Sequence, residues 1–441
     1  MAIRRTTIPF RIAAAALAFL AVFATLRAID GAGSGTGALP AFDAGARTGL
    51  LPGATTDQRI EALQSALRGS GSDAEGYADL GLEYLQKVRE TGDPSFYPKA
   101  EGVLRRALRI DPRNFTATSG LGTLALARHD FAAGLALGEQ ARHINPGVAV
   151  NYGVIADGQI ELGRYAAAGR TLQRWVNLKP ELSSYARVSY FRELHGDLAG
   201  ALAAMRLAAS AGGDVPENFS YVQTLVGTLQ LDRGAYAAAE RAYRTVLARD
   251  PRYPAANAGL ARIEAGRGEF DRAIARYRRV VATIPLPEYV VGLGETEQAA
   301  GRPAAARRTY ALVGVEIRLL KANGVDTDVD LALFEANHGS PSRAVALARR
   351  AWASAPSVRS ADALSWALSQ AGRDAAALRL SREAQRLGSR DPSFLYHAGL
   401  IAMRSGRTDR ARSLLSELVA QSPRFNPLYG PRARAALEGL R

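Results

Sequence analysis

Apolar residues in this sequence do not sustain a period of two; they keep helical spacing, as at Ile60, Leu63 and Leu67, in stretches broken by single glycines. The breaks themselves recur. Gly163, Gly196, Gly234, Gly268, Gly301, Gly339, Gly372 and Gly406 are separated by 33, 38, 34, 33, 38, 33 and 34 residues. Each is followed five residues later by a small side chain, as in Gly163 to Ala168, Gly234 to Ala239 and Gly268 to Ala273. That pattern predicts a turn opening a new helix. A period of about 34 residues is one helical hairpin, which cannot bury its apolar face alone and must stack on its neighbours.

Two further positions keep the same ruler. Pro112, Pro146, Pro180, Pro251, Pro285, Pro356 and Pro423 each fall 17 residues after the turn position, where proline stops a second helix because it lacks the N–H. Seven residues before the turn stand Gly122, Ala156, Ser189, Gly227, Ala261, Gly294, Ala332, Ser365 and Gly399, all small enough for two helices to approach closely. In these features the chain resembles the tetratricopeptide repeat, with its small residue at position 8, turn glycine near 15, alanines at 20 and 27, and proline at 32. The resemblance covers residues 75–423. It implies an all-α, right-handed superhelical solenoid of about ten helix-turn-helix hairpins. Position 20 is alanine in nine repeats, Ala100, Ala168, Ala201, Ala239, Ala273, Ala306, Ala344, Ala377 and Ala411, whereas Trp175, Val246, Val280, Val313 and Leu418 depart from alanine at position 27.

The remaining organisation follows from local composition. Arg4 and Arg5 precede an uncharged apolar run, Ile12 to Leu26, which makes residues 1–29 a signal peptide or a membrane-anchoring hydrophobic helix. Residues 30–55, rich in Gly, Ala, Pro and Thr, are expected to be a flexible linker, with a capping helix over 56–74. Residues 424–441 should form a C-terminal capping helix. Of the two 38-residue gaps, one falls in a loop, Ala209 to Pro216, and the other predicts a helix extended through Val315 to Gly324. The repeats are then extracytoplasmic, either on a single-pass protein of the cell membrane or secreted after cleavage, in a bacterial setting.

At 441 residues an ordinary chain would divide into two or three domains, but a solenoid adds length without enlarging one core. Cysteine is absent, which excludes disulfides and thiolate chemistry. The net charge is +14, carried almost entirely by arginines dispersed over second helices, such as Arg105, Arg106 and Arg109. Dispersed charge reads as a solvated outer face. The alternative is a basic solenoid that binds a polyanion, whether nucleic acid, anionic lipid or wall polymer, through that face.

Motifs for catalysis do not assemble. None of the lysines, Lys87, Lys99, Lys179 and Lys321, stands in a phosphate-binding loop, and no two histidines have zinc-helix spacing. His129, His195 and His338 cluster at hairpin turns and are expected to be exposed there. Asp326, Asp328 and Asp330 alternate like a calcium loop, but Leu331 and Asn337 replace the glycine and the bidentate glutamate, leaving a helix-capping role. The expectation is therefore a non-enzymatic scaffold with no metal, cofactor or small-molecule substrate, and with nucleic acid an improbable partner.

The resemblance further implies that first-helix positions 2, 5, 9, 12 and 13 line a concave groove holding a segment of a partner protein. Mapped onto this chain these are Asp157, Glu161, Tyr190, Glu193, Tyr221, Asp232, Arg262, Glu295, Trp366 and Tyr396, together with Glu288 and Arg404. Trp366 and Tyr190 stand out as candidate anchors, because aromatic residues beside charges dominate binding hot spots. A clamp for a terminal carboxylate is not supported, since Ala186 with Tyr190 and Ala258 with Arg262 replace its lysine and asparagine.

Overall fold

The structure, a computed structural model, describes residues 54–212 and 216–440. The apolar segment 1–29, nearly all of the linker and residues 213–215 of the first long gap lie outside the described residues. Among the described residues all regular structure is α-helical, and no helix is long and apolar enough to cross a membrane. Helix α1 (Thr56–Gly69) precedes ten hairpins, α2 (Ala74–Thr91) with α3 (Phe96–Ile110), α4 (Phe115–Ala127) with α5 (Phe131–Ile144), α6 (Val150–Glu161) with α7 (Tyr165–Leu178), and α8 (Leu182–Leu194) with α9 (Leu198–Ala211). There follow α10 (Pro216–Asp232) with α11 (Tyr236–Arg249), α12 (Pro254–Gly266) with α13 (Phe270–Thr283), and α14 (Pro287–Ala299) with α15 (Pro303–Ala322). The last three are α16 (Asp328–His338) with α17 (Pro341–Ser354), α18 (Val358–Gln370) with α19 (Asp374–Ala384), and α20 (Pro392–Arg404) with α21 (Thr408–Gln421); α22 (Tyr429–Glu438) closes the chain.

Local chemistry accounts for the helix ends. Asp73, Asn114, Asp130 and Asp197 each accept a hydrogen bond from the backbone N–H three residues on, satisfying a donor that the helix leaves open. Within the hairpins the turn residue is left-handed, with φ of 70° at Gly163 and 74° at Gly234, a conformation that costs glycine little. His129 takes the same conformation at the second hairpin with φ of 63°. Its ring nitrogen bonds the Asp326 carbonyl, a tertiary contact that offsets the strain. Gly339 departs from the pattern with φ of −131°, so the hairpin of α16 and α17 turns differently.

Stacking then buries what each hairpin leaves exposed. Trp175 is fully buried, and a Cβ at Gly153 would lie 2.7 Å from its ring, so the small residue makes the room that the indole fills. Tyr243, Tyr277 and Tyr310 pack in the same way over Gly227, Gly292 and Gly294.

The array does not remain an open spiral. The hairpin turns at His129, Gly163, Gly196 and Gly234 rest against the loops at Asp326, Pro356, Gly388 and Gln421, each loop following the hairpin five further along the chain. Hydrogen bonds join this seam: Asp326 N–H donates to Arg128 O (2.9 Å), Val358 N–H to the Tyr165 hydroxyl (2.8 Å), and the Gln421 side chain to Asp232 O (2.8 Å). Partners across it stand 197, 193 and 189 residues apart, so one circuit takes about five and a half hairpins of roughly 34 residues. The extension of α15 serves the closure: Leu320 and Val325 enter the same apolar cluster as Leu126 and Tyr97 of the first circuit.

Candidate functional site

The concave faces of the hairpins close around a lumen of about 760 Å³, walled by residues from Tyr97 to Pro427. Half-buried apolar side chains, including Leu225, Val291, Leu333 and Phe334, form much of the wall. Seven wall residues are Asp or Glu and two, Arg262 and Arg359, are Arg. The chain of net charge +14 thus encloses an acidic interior.

Among the ten residues assigned to the groove, Glu161, Glu193, Arg262 and Glu295 line this lumen. The Tyr190 hydroxyl donates to Glu161 (3.1 Å), and Arg359, next to the seam contact at Val358, interacts electrostatically with both. Burial raises the Glu161 carboxyl above its ordinary value, with Arg359 opposing. Asp232 pairs with Arg262 (3.2 Å), whose Nε donates to Phe425 O (3.3 Å). Burial pushes Asp232 up to about 6 against the opposing pull of Arg262. Glu193 is pushed further, to about 8, first by burial and then by Asp232 and by Asp391 at the start of α20. Three carboxylates from α8, α10 and the cap of α20 therefore converge.

The other assignments are corrected. Asp157 is buried in a bidentate pair with Arg187 (2.6 and 2.8 Å), which itself is only 2% exposed, and Tyr221 is buried against that pair. Trp366 is 3% exposed: its indole N–H donates to Asn337 (2.8 Å), and its ring stacks on His397 at 4.4 Å. Tyr396 is buried among Trp366, Phe425 and Tyr429. Position 9 at Asp157 and Trp366 faces the following hairpin, and the segment after Pro423 folds over Tyr396, so these side chains work as stacking contacts. Glu295 lies in the wall but is 7% exposed, accepting from Asn426 (2.7 Å) and contacting His338 (3.1 Å). Arg404, exposed, donates to Ser369.

His338 is also corrected. Its side chain is 5% exposed, stacks on Tyr310 at 4.3 Å and meets Glu295 inside the wall, whereas His195 is exposed. Asp326, Thr327 and Arg359 are wall residues that were not among the residues mapped to the groove. Arg359 falls at position 2 of its hairpin, so the repeat ruler contains it; Asp326 and Thr327 sit in an inter-repeat loop that reaches the wall only through closure. Among the described residues no group of three or more His, Cys, Asp or Glu is placed to hold a metal ion.

Comparison with known proteins agrees with this architecture. Models of the tetratricopeptide repeat match residues 230–290, and residues 93–149 and 363–424. The chain is a tetratricopeptide-repeat protein. Over 212 residues it is 26% identical to the cellulose synthase 1 operon protein C of Komagataeibacter xylinus, a stretch covering 48% of this chain and 14% of that protein. The chain therefore spans about a seventh of the length of that curated relative. Similar solved structures include a thermophilic TPR protein of Thermus thermophilus, at 17% identity and a TM-score of 0.37, covering 47% of this chain and 99% of that one. Another is the APC/C hetero-tetramer Cut9-Hcn1, at 13% identity and a TM-score of 0.32, covering 87% and 93%.

Proposed function

We propose that this protein is a non-enzymatic interaction scaffold, exported or anchored in the membrane by residues 1–29, which holds a segment of a partner protein in its lumen. The observation that carries the reading is the partly open cavity of about 760 Å³, walled by first-helix faces with second-helix and loop residues, and lined by apolar side chains with a few convergent charges. Pockets of roughly 300–1,000 Å³ are the usual size for burying a drug-sized molecule, so a lumen of this volume has room for a few side chains of a partner segment. The repeat array suits such a role, because stacked hairpins present a continuous surface rather than a catalytic constellation. The arginine-rich exterior supports polyanion binding less well, since Arg105, Arg244, Arg278 and Arg350 are each paired to a neighbouring carboxylate.

The test is affinity capture of the full-length protein from native membranes, beside Leu333→Trp, which partly fills the lumen. Proteins retained by the wild type should be lost from Leu333→Trp while its helical circular dichroism is unchanged. Equal retention by the folded variant would place the binding surface elsewhere.

A further inference from the structure

Resting on the reading that the lumen holds a partner segment, we infer that this segment is cationic, with Lys or Arg side chains interleaved with apolar ones. The first observation is the inversion of charge: a chain of net charge +14 lines its interior with seven acidic side chains against two arginines, and of the seven Asp328 is paired with Lys321 and Arg350. The second is unmet bonding capacity. No hydrogen bond or ion pair to a described residue reaches the Glu193 carboxyl, which faces the lumen beside Asp232 and Asp391 with Arg359 acting on it through space. Thr327, 3% exposed and in the same wall, has a hydroxyl with no partner among the described residues. Buried polar groups are normally satisfied, so the orphaned Thr327 hydroxyl in this wall points to a partner that arrives with a guest, and the half-buried Glu193 carboxyl has room to accept from one.

Charge decides which donor. A neutral donor would leave the repulsion among Glu193, Asp232 and Asp391 in place, whereas a guanidinium or ammonium group relieves it and forms the shorter, stronger charge-assisted bond. Burial pushes the Glu193 carboxyl upward, Asp232 and Asp391 add to the rise, and Arg359 opposes it. Apolar wall residues on α10, α14 and α16, Leu225, Val291, Leu333 and Phe334, then offer surface that a bare polyamine would not cover. A basic segment with apolar anchors uses both parts of the wall.

Panning the immobilised full-length protein against a random dodecapeptide library tests this. The recovered peptides should be rich in Arg or Lys with Leu or aromatic residues, and should lose affinity steeply with salt. In fluorescence anisotropy the best of them should bind Glu193→Gln/Asp330→Asn on the order of a hundredfold more weakly, since truncating one partner of a desolvated charge pair is costly. It should not bind Leu333→Trp, or Val291→Trp should the first variant fail to fold. Acidic or uncharged peptides that still require an open lumen would overturn the cationic assignment and leave the scaffold reading standing. Basic peptides that bind the filled variant equally well would overturn both. Spermine binding to the wild-type lumen as tightly as the best peptide would overturn the polypeptide guest in favour of a small polyamine.

Discussion

Charge is handled in two ways inside this molecule. Asp157 and Arg187 are removed from water together in a bidentate contact through Nε and Nη2, the arrangement that makes a buried pair tolerable. Glu193 has no such partner, and its proton affinity rises because the ionised form is the costly one. The consequence for stability has a definite sign. In the unfolded chain Glu193 ionises near 4.5, in the folded chain near 8, so between those values the folded state binds more protons. Stability contributed by this group is in place below pH 4.5 and is lost as pH rises toward 8. Thermal melts of the wild type should therefore fall in midpoint from pH 5 to pH 8, and Glu193→Gln should melt higher than wild type at pH 8. Parallel falls in both proteins would assign the pH dependence to other groups.

Helices in this chain are specified largely by what sits at their ends and what they stack upon. The extended α15 runs 20 residues where most second helices run about 14, and its added turns deliver Leu320 and Val325 to the first circuit. At the other end of the chain, α22 and the segment before it cover the last hairpin. Phe425 is 4% exposed against Tyr396, and Asn426 reaches Glu295 of α14. This segment thus both caps the stack and completes the lumen wall. Replacing Phe425 by Ala should cost about 3–5 kcal/mol, the usual range for removing a buried ring. Denaturant unfolding would measure the loss, and a change below about 1 kcal/mol would show that the segment does not hold the end of the array.

At the scale of the whole molecule, the seam converts a spiral into a closed wall. A Cβ at Gly196 would overlap the Gly388 carbonyl, and one at Gly234 the Gln421 carbonyl, so each turn glycine is required by the circuit it touches as well as by its own φ. The double variant Gly196→Val/Gly234→Val should open the seam. Small-angle scattering should show a larger radius of gyration with helical content preserved; an unchanged radius would mean that closure does not depend on those contacts. The repeat period, the turn residues and the extension of α15 were legible in the residues, because every contact that defines a hairpin lies within one repeat or its neighbour. The groove was legible only in part. Glu161, Glu193 and Arg262 could be placed by counting from the turn glycine, but Trp366 and Asp157 went to stacking contacts, and Asp326 and Thr327 entered the wall from a loop. Local sequence settles the hairpin and its direction of stacking. Tertiary structure alone settles whether the spiral closes, because closure joins residues 189 to 197 positions apart through small rotations summed over several hairpins, and no single residue encodes that sum.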